Sequence, residues 1–210
     1  DADLDLAGVA PRLMRPDGAT VDSVGQVLRP LTLEVADRGY GQPLRDELLA
    51  PVSVLAPCGA LAVYRRQALA AVADANGPWA EHYFCFWEDL ELGWRLANSG
   101  WRIRTCPEAV ATHRRGAGAE AGRGPLRWRR SPELEACIVS KRWMTMERHL
   151  HPLDLAPRVP LLLTWDLGLL VMGALRRPAF ARALRQRWPL VVDEWRGRRR
   201  HPKRRLRELT

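Results

Sequence analysis

Apolar and polar positions along the chain fall into short runs whose period changes several times. Residues 6–14 (LAGVAPRLM) are mostly apolar and end at RPDG (15–18), a turn composition, so they predict a strand. Residues 26–48 are mixed and are punctuated by Pro30, Gly39, Gly41 and Pro43; they read as a loop. Residues 52–56 (VSVLA) and 60–64 (ALAVY) predict two strands separated by Pro57-Cys58-Gly59. Residues 66–75 predict a short helix that stops at Asn76-Gly77-Pro78.

From Glu88 to Ala97 the period is helical. Leu90, Trp94 and Ala97 fall on one stripe with Leu92 and Leu96 beside it, and Asn98-Ser99-Gly100 supplies the stop. Residues 101–105 (WRIRT) alternate as a strand does. Pro107 is expected to break that strand, with 109–112 extending it towards His113. Residues 114–132 are rich in Gly, Arg and Pro and predict a long loop. Residues 133–149 predict a helix. Residues 159–175 are strongly apolar, but the run is short and carries Asp166, which argues against a membrane span. Residues 178–196 predict a further helix, with Arg on one side and Leu, Phe and Trp on the other. A basic run, RGRRRHPKRRLREL (196–209), follows.

Charge sharpens this division. The 210 residues carry a net charge of +9, yet residues 1–175 hold 20 basic and 21 acidic side chains. Residues 176–210 hold 13 basic and 3 acidic ones. The chain is a near-neutral body with a basic end, so its charge is no argument for nucleic-acid binding by the body. The four cysteines (58, 85, 106 and 137) are far apart and form no CxxC, which disfavours a zinc site or a disulfide framework and suits a reducing cytosol. No signal-peptide pattern is legible. The opening with Asp rather than Met leads us to expect a missing N-terminal portion.

The stretch FCFWEDLELGWRLANSGW (84–101) holds the candidate chemistry. Acids in the first turn of a helix are favoured by its free N–H groups and dipole, so Glu88 and Asp89 read first as caps. Adjacent positions diverge by roughly 100° around a helix, however, so only one of them caps well. Taken singly, His113 is a strand-end surface histidine, Gly59 a bulge glycine and Trp87 a core residue. Arg95 is placed to pair with Glu91 at i,i+4.

Taken together and in order, these residues resemble family 2 glycosyltransferases of the GT-A fold, in particular the bacterial rhamnosyltransferase-like branch and its C-terminal half. The pattern runs Cys58-Gly59-Ala60-Leu61-Ala62-Val63-Tyr64-Arg65-Arg66, then Phe84, Phe86, Glu88, Asp89, Glu91 and Arg95. It continues through Gly100-Trp101-Arg102 and Pro107-Glu108-Ala109 to His113. The opening GVAPRLMRPDG (8–18) and Val24-Gly25 are similar to the same family. Two departures exist: Glu91 stands where Asp is common, which is mild, and the Asn that the family carries near Lys141-Arg142 is absent, so no role is carried over to that position.

The resemblance implies an α/β fold, the GT-A C-terminal half with a mixed sheet, over residues 1–132. A helical and membrane-associated region (133–197) and a basic tail (198–210) would follow. It implies an inverting glycosyltransferase that moves a sugar from a nucleotide-diphosphate donor to a cell-envelope glycan or lipid-linked acceptor. Asp89 would be the base, with Glu88 its support. Gly59, Phe86 and Trp87 would meet the acceptor, and His113 would serve a Mn²⁺ or Mg²⁺ and diphosphate site. The family's nucleotide-binding half and its metal-holding Asp-x-Asp lie ahead of the matched region. Asp1-Ala2-Asp3 stands too close to Val9-Ala10-Pro11 to be that motif. The apolar and Arg-rich helices fit a peripheral site on the cytoplasmic face of the plasma membrane. Helices packed on the domain beside a solvated charge run are the plainer reading of the same segment. Two alternatives to an enzyme follow: a non-catalytic remnant that binds glycan or a partner, and a basic membrane or nucleic-acid adaptor. No nucleic-acid motif accompanies the basic run, so a nucleic-acid partner is not expected.

Overall fold

The computed structural model describes residues 3–29, 31–75, 77–83, 86–115, 130–197 and 202–209. In chain order it contains β1 (Leu6–Met14), β2 (Val21–Ser23), β3 (Gln26–Leu28), β4 (Val35–Asp37), β5 (Ser53–Val54) and β6 (Val63–Tyr64). Then come α1 (Arg66–Val72), α2 (Glu88–Asn98), β7 (Arg102–Thr112), α3 (Pro132–His149), α4 (Pro152–Leu155), α5 (Val159–Arg176) and α6 (Pro178–Gly197). These build two units. The first is Asp1–Phe84, Glu88–Arg114 and Pro202–Thr210; the second is Cys85–Trp87 and Arg115–His201.

The first unit is an α/β fold around a mixed sheet. One edge of β1 pairs in parallel with β7. The other edge is divided between β6, antiparallel at Gly8 and Val9, and β2, antiparallel at Leu13 and Met14. β5 closes the far side antiparallel to β7. Gly8 permits the β6 contact, because a Cβ there would lie 2.5 Å from the Val63 carbonyl oxygen. The turn between β1 and β2 is held by Asp17, whose Oδ1 accepts from the N–H groups of Ala19 and Thr20 at 2.9 and 2.8 Å.

β7 runs through Pro107 rather than stopping there. Pro11 pairs with Cys106 and the next residue of β1, Arg12, pairs with Val110. Residues 107–109 therefore bulge out of the ladder, and the missing Pro107 N–H costs no hydrogen bond. The segment 26–48 also differs from the loop reading. β3 and β4 form a small antiparallel hairpin, Gln26 to Asp37 and Leu28 to Val35, and Asp46–Leu48 makes one 3₁₀ turn. Strands of three residues carry too short a pattern to be told from loop. The long loop expected over 114–132 falls mostly on residues outside those described.

Helices α1 and α2 supply the cover of the sheet. Leu92 and Leu96 of α2 and Ala68 and Val72 of α1 pack with Ala7, Ala10, Val54 and Ile103. Burying each Leu contributes about 1.5–3 kcal/mol. α2 ends where its stop signal predicts: Gly100 takes φ +92°, its N–H donates to Ala97 O, and that of Trp101 donates to Leu96 O. Arg204, within the expected basic tail, folds onto this helix end. Its backbone N–H donates to Asn98 Oδ1 (3.0 Å) and its guanidinium to Ala97 O (3.3 Å). A helix C-terminus leaves carbonyls without partners, and an Arg supplies donors of the favourable sign.

The second unit is helical. Ser131 caps α3, accepting from the Leu134 N–H at 3.3 Å, with Pro132 at the first helical position. α3 and α6 pack through Ala136, Phe180, Ala183 and Leu184, with Val139, Trp143 and Leu169 against them. Arg148 of α3 grips Glu194 of α6 with two hydrogen bonds of 2.8 and 2.9 Å.

Candidate active site

Asp89 is the convergence point of three segments in the first unit, and glycines make the convergence possible. Gly93, one turn after Asp89, lets α2 press against residues 55–56: a Cβ there would overlap the Leu55 carbonyl oxygen and lie 2.7 Å from Ala56 Cβ. Gly25, at φ +85°, has the same role against Val54, whose Cγ2 would be 2.8 Å from an added Cβ. The next residue, Gln26, then locks onto residues 55–56 through backbone bonds, Gln26 N–H to Ala56 O (2.7 Å) and Leu55 N–H to Gln26 O (2.9 Å). With 25–26, 54–59 and 89–93 drawn together, the Asp89 carboxylate meets its partners. Oδ2 accepts from Gln26 Nε2 at 2.8 Å and from the Gly59 N–H at 2.9 Å. Oδ1 accepts from the Leu90 N–H at 2.8 Å.

The electrostatics at Asp89 oppose one another. Burial raises its carboxyl, the neighbouring Glu88 charge raises it further, and the Gly59, Leu90 and Gln26 hydrogen bonds pull it back; the balance is about 6. A carboxylate near 6 is ionised at neutral pH and basic enough to take a proton. Tyr64, at the end of β6, is also held protonated, first by burial and then by the Asp89 charge. Glu88 has one buried oxygen, Oε2, without a hydrogen-bond partner. Gln26 is buried, and its Oε1 is likewise unpartnered.

Acid capping accounts for only part of this arrangement. Glu91, the third acid of the helix start, is 1% exposed and pairs with Arg95 at 3.0 Å, as the i,i+4 spacing predicts. Arg95 is spent on structure, since its guanidinium also donates to the carbonyls of Val72 and Pro78.

His113 lies at the end of β7, its N–H bonded to Met14 O. Its Nδ1 faces Asp22 Oδ2 at 2.9 Å, with the Asp22 side chain fully buried. A carboxylate on one ring nitrogen fixes the ring's orientation and aims the other nitrogen. Among the described residues no group of three or more His, Cys, Asp or Glu side chains is placed to hold a metal. Asp22 and His113 alone do not fit a hard divalent cation, which takes six or more oxygen-rich ligands.

Phe86 and Trp87 belong to the second unit. Both adopt left-handed backbone, φ 63° and 70°, which costs about 1–3 kcal/mol per non-glycine residue. The Arg130 guanidinium stands 5.2 Å from the centre of the Phe86 ring.

The structure thus brings together Asp89 and Gly59, and adds Gln26 to them. It gives His113 a partner, Asp22. Both added residues sit on one five-residue segment (22–26), Asp22 within β2 and Gln26 at the start of β3. Val24-Gly25 marked this segment in the sequence, but nothing in a three-residue strand announces that its neighbours reach a helix more than sixty positions away. The chain matches no family model and no curated protein in comparisons of either kind.

Proposed function

We propose that this chain carries the acceptor-side half of an inverting glycosyltransferase of GT-A type, with Asp89 as the base. In this reading Asp89 takes the proton of an acceptor hydroxyl. The hydroxyl oxygen bonds to the anomeric carbon of the donor sugar, and the bond from that carbon to the nucleoside diphosphate breaks. The acceptor is a glycan or a lipid-linked sugar.

The observation that carries this proposal is the state of Asp89: a partly buried carboxyl with its pKa raised to about 6, held by two donors from other segments and set beside a second acid. Three of its roughly four acceptor positions are filled, which leaves one lone pair of Oδ1 for a substrate proton. The ordered resemblance from Gly59 to His113 supports the substrate class. In this reading the diphosphate and any Mn²⁺ or Mg²⁺ take donors beyond Asp22 and His113.

The same filling of Asp89 by protein donors favours a second reading, a non-catalytic cleft that binds glycan. Asp89→Asn separates the two. We expect the substitution to lower transfer from nucleotide-sugar donors by roughly 10²–10⁴-fold, the usual contribution of a general base. Unchanged transfer removes Asp89 as the base. Glycan binding without transfer, in wild type and variant alike, establishes the second reading.

A further inference from the structure

We propose that α5 docks in the plane of a membrane surface containing anionic phospholipid, with its apolar side chains among the acyl chains and its exposed Arg176 at the headgroups. The inference rests on the second unit alone and not on Asp89.

Helix α5 is apolar nearly all round and is hardly covered. Only Leu162 and Gly173 are buried along its 18 residues. Leu163, Leu167 and Leu175 are 64%, 63% and 76% exposed, and Leu161, Trp165 and Val171 join them. A contiguous exposed apolar surface of this size marks an interaction site. It is neither a buried core helix nor a segment near the N-terminus. The one charge inside the helix faces the protein. Asp166 accepts from Arg142 Nη1 (2.7 Å) and Trp143 Nε1 (3.0 Å), both on α3. The exposed surface of α5 therefore carries no charge between its ends.

The ends define the occupant. Arg158, half-buried and donating to the Asp154 carbonyl, precedes α5. The exposed Arg176 closes it about 27 Å away at 1.5 Å per residue, followed by the half-buried Arg177, which donates to the Arg130 carbonyl. Basic residues at both ends of an uncharged apolar surface match anionic headgroups at the level of an interfacial helix. The three exposed tryptophans described in this unit, Trp165, Trp188 and Trp195, are of the type that favours this depth. A second copy of the chain fits less well. Parallel pairing sets Arg158 against Arg158, and antiparallel pairing sets Arg158 against Arg176 and Arg177, so like charges meet in both.

By length and composition Pro152–Arg176 is also long enough to cross a membrane. Its neighbours disfavour that placement. α5 packs closely on α6, where a Cβ on Gly173 would lie 2.6 Å from the Phe180 ring, and α6 exposes Arg182, Arg185, Gln186, Asp193 and Arg196. Spanning would carry these groups and the Arg142–Asp166 pair into hydrocarbon, whereas docking in the plane leaves them in water.

The test is vesicle flotation of the whole chain, with phosphatidylcholine alone and with phosphatidylcholine–phosphatidylglycerol mixtures. We expect the chain to float with the mixed vesicles and less with the neutral ones. The double variant Leu163→Glu/Leu167→Glu alters only exposed side chains and should keep its circular dichroism. It should lose vesicle binding by tenfold or more, since two apolar side chains that would enter the acyl region become charged. Failure of the wild type to float with either vesicle overturns the proposal, as does equal flotation of the variant. A wild-type dimer in sedimentation velocity that the variant dissolves, without vesicle binding, assigns the surface to a second copy instead.

Discussion

Gln26 Nε2 donates to Asp89 Oδ2 at 2.8 Å across 63 positions of sequence, and Gln26 is itself fixed by backbone bonds to residues 55–56. The carboxylate is therefore held by a neutral donor whose own position is set by the sheet side of the fold. This argues for a positioning role for Gln26, with consequences for pH dependence.

Gln26→Leu removes a donor to the ionised form of Asp89 while keeping a side chain of similar bulk. A hydrogen bond to a charged group is worth about 1.5–3 kcal/mol, which corresponds to roughly one to two pH units. We expect the acid limb of the rate profile to move to higher pH by about one unit, with little change in rate above it. If the proposed transfer holds, an acid limb of kcat/KM against pH that does not move rules out the positioning role.

The raised pKa of Asp89 also predicts how stability depends on pH. The folded value, about 6, lies above the ordinary value of 3.8, so the folded chain binds more protons than the unfolded one between them. Asp89 therefore contributes stability in its protonated form. That contribution is complete below about 4 and is lost as pH rises through about 6, on the order of 2–3 kcal/mol. Denaturant melts at pH 4.5 and 7.5 should show this slope in the wild type and a smaller one in Asp89→Asn.

Gly93→Ala places a methyl group against the Leu55 carbonyl, where neither backbone can yield cheaply. We expect a loss of about 1–3 kcal/mol, the usual cost of overpacking, together with a displaced Asp89. A midpoint equal to that of the wild type would show that α2 tolerates a wider separation from residues 55–56.

Arg95→Leu removes the cation 3.0 Å from the buried Glu91, and breaking one side of a buried pair costs about 3–5 kcal/mol. Urea unfolding measures this loss. Glu91→Gln with Arg95 intact should cost less, because the amide still accepts a hydrogen bond.

If Asp22 acts through His113, their effects on transfer are not independent. Asp22→Ala and His113→Ala should each slow the reaction, and the double variant should be no slower than His113→Ala alone. Additive losses would show that Asp22 acts separately.

Much of the backbone was legible. β1 spans the residues its apolar run predicts, α2 starts at Glu88 and stops at its Asn-Ser-Gly signal, α5 follows its apolar stretch, and α6 follows the two-faced pattern of 178–196. These elements are long enough for a period or a cap to be read. β3 and β4 were not legible, because three residues define no period. Pro107 misled in the opposite direction, since a bulge absorbed it.

The candidate site divides along the same line. The sequence by itself determined which residue types stand at the start of α2, that Glu91 and Arg95 share a helix face, and that an apolar run precedes an Arg-rich helix. Each of these depends on spacing along one element. Only the tertiary structure decided that Asp89 meets Gly59 and Gln26, that His113 meets Asp22, and that Asp166 is answered by Arg142 and Trp143. Those partners come from segments far apart in the chain. They are brought within hydrogen-bond reach by sheet register and by close approach at Gly25 and Gly93, and neither is encoded in local periodicity.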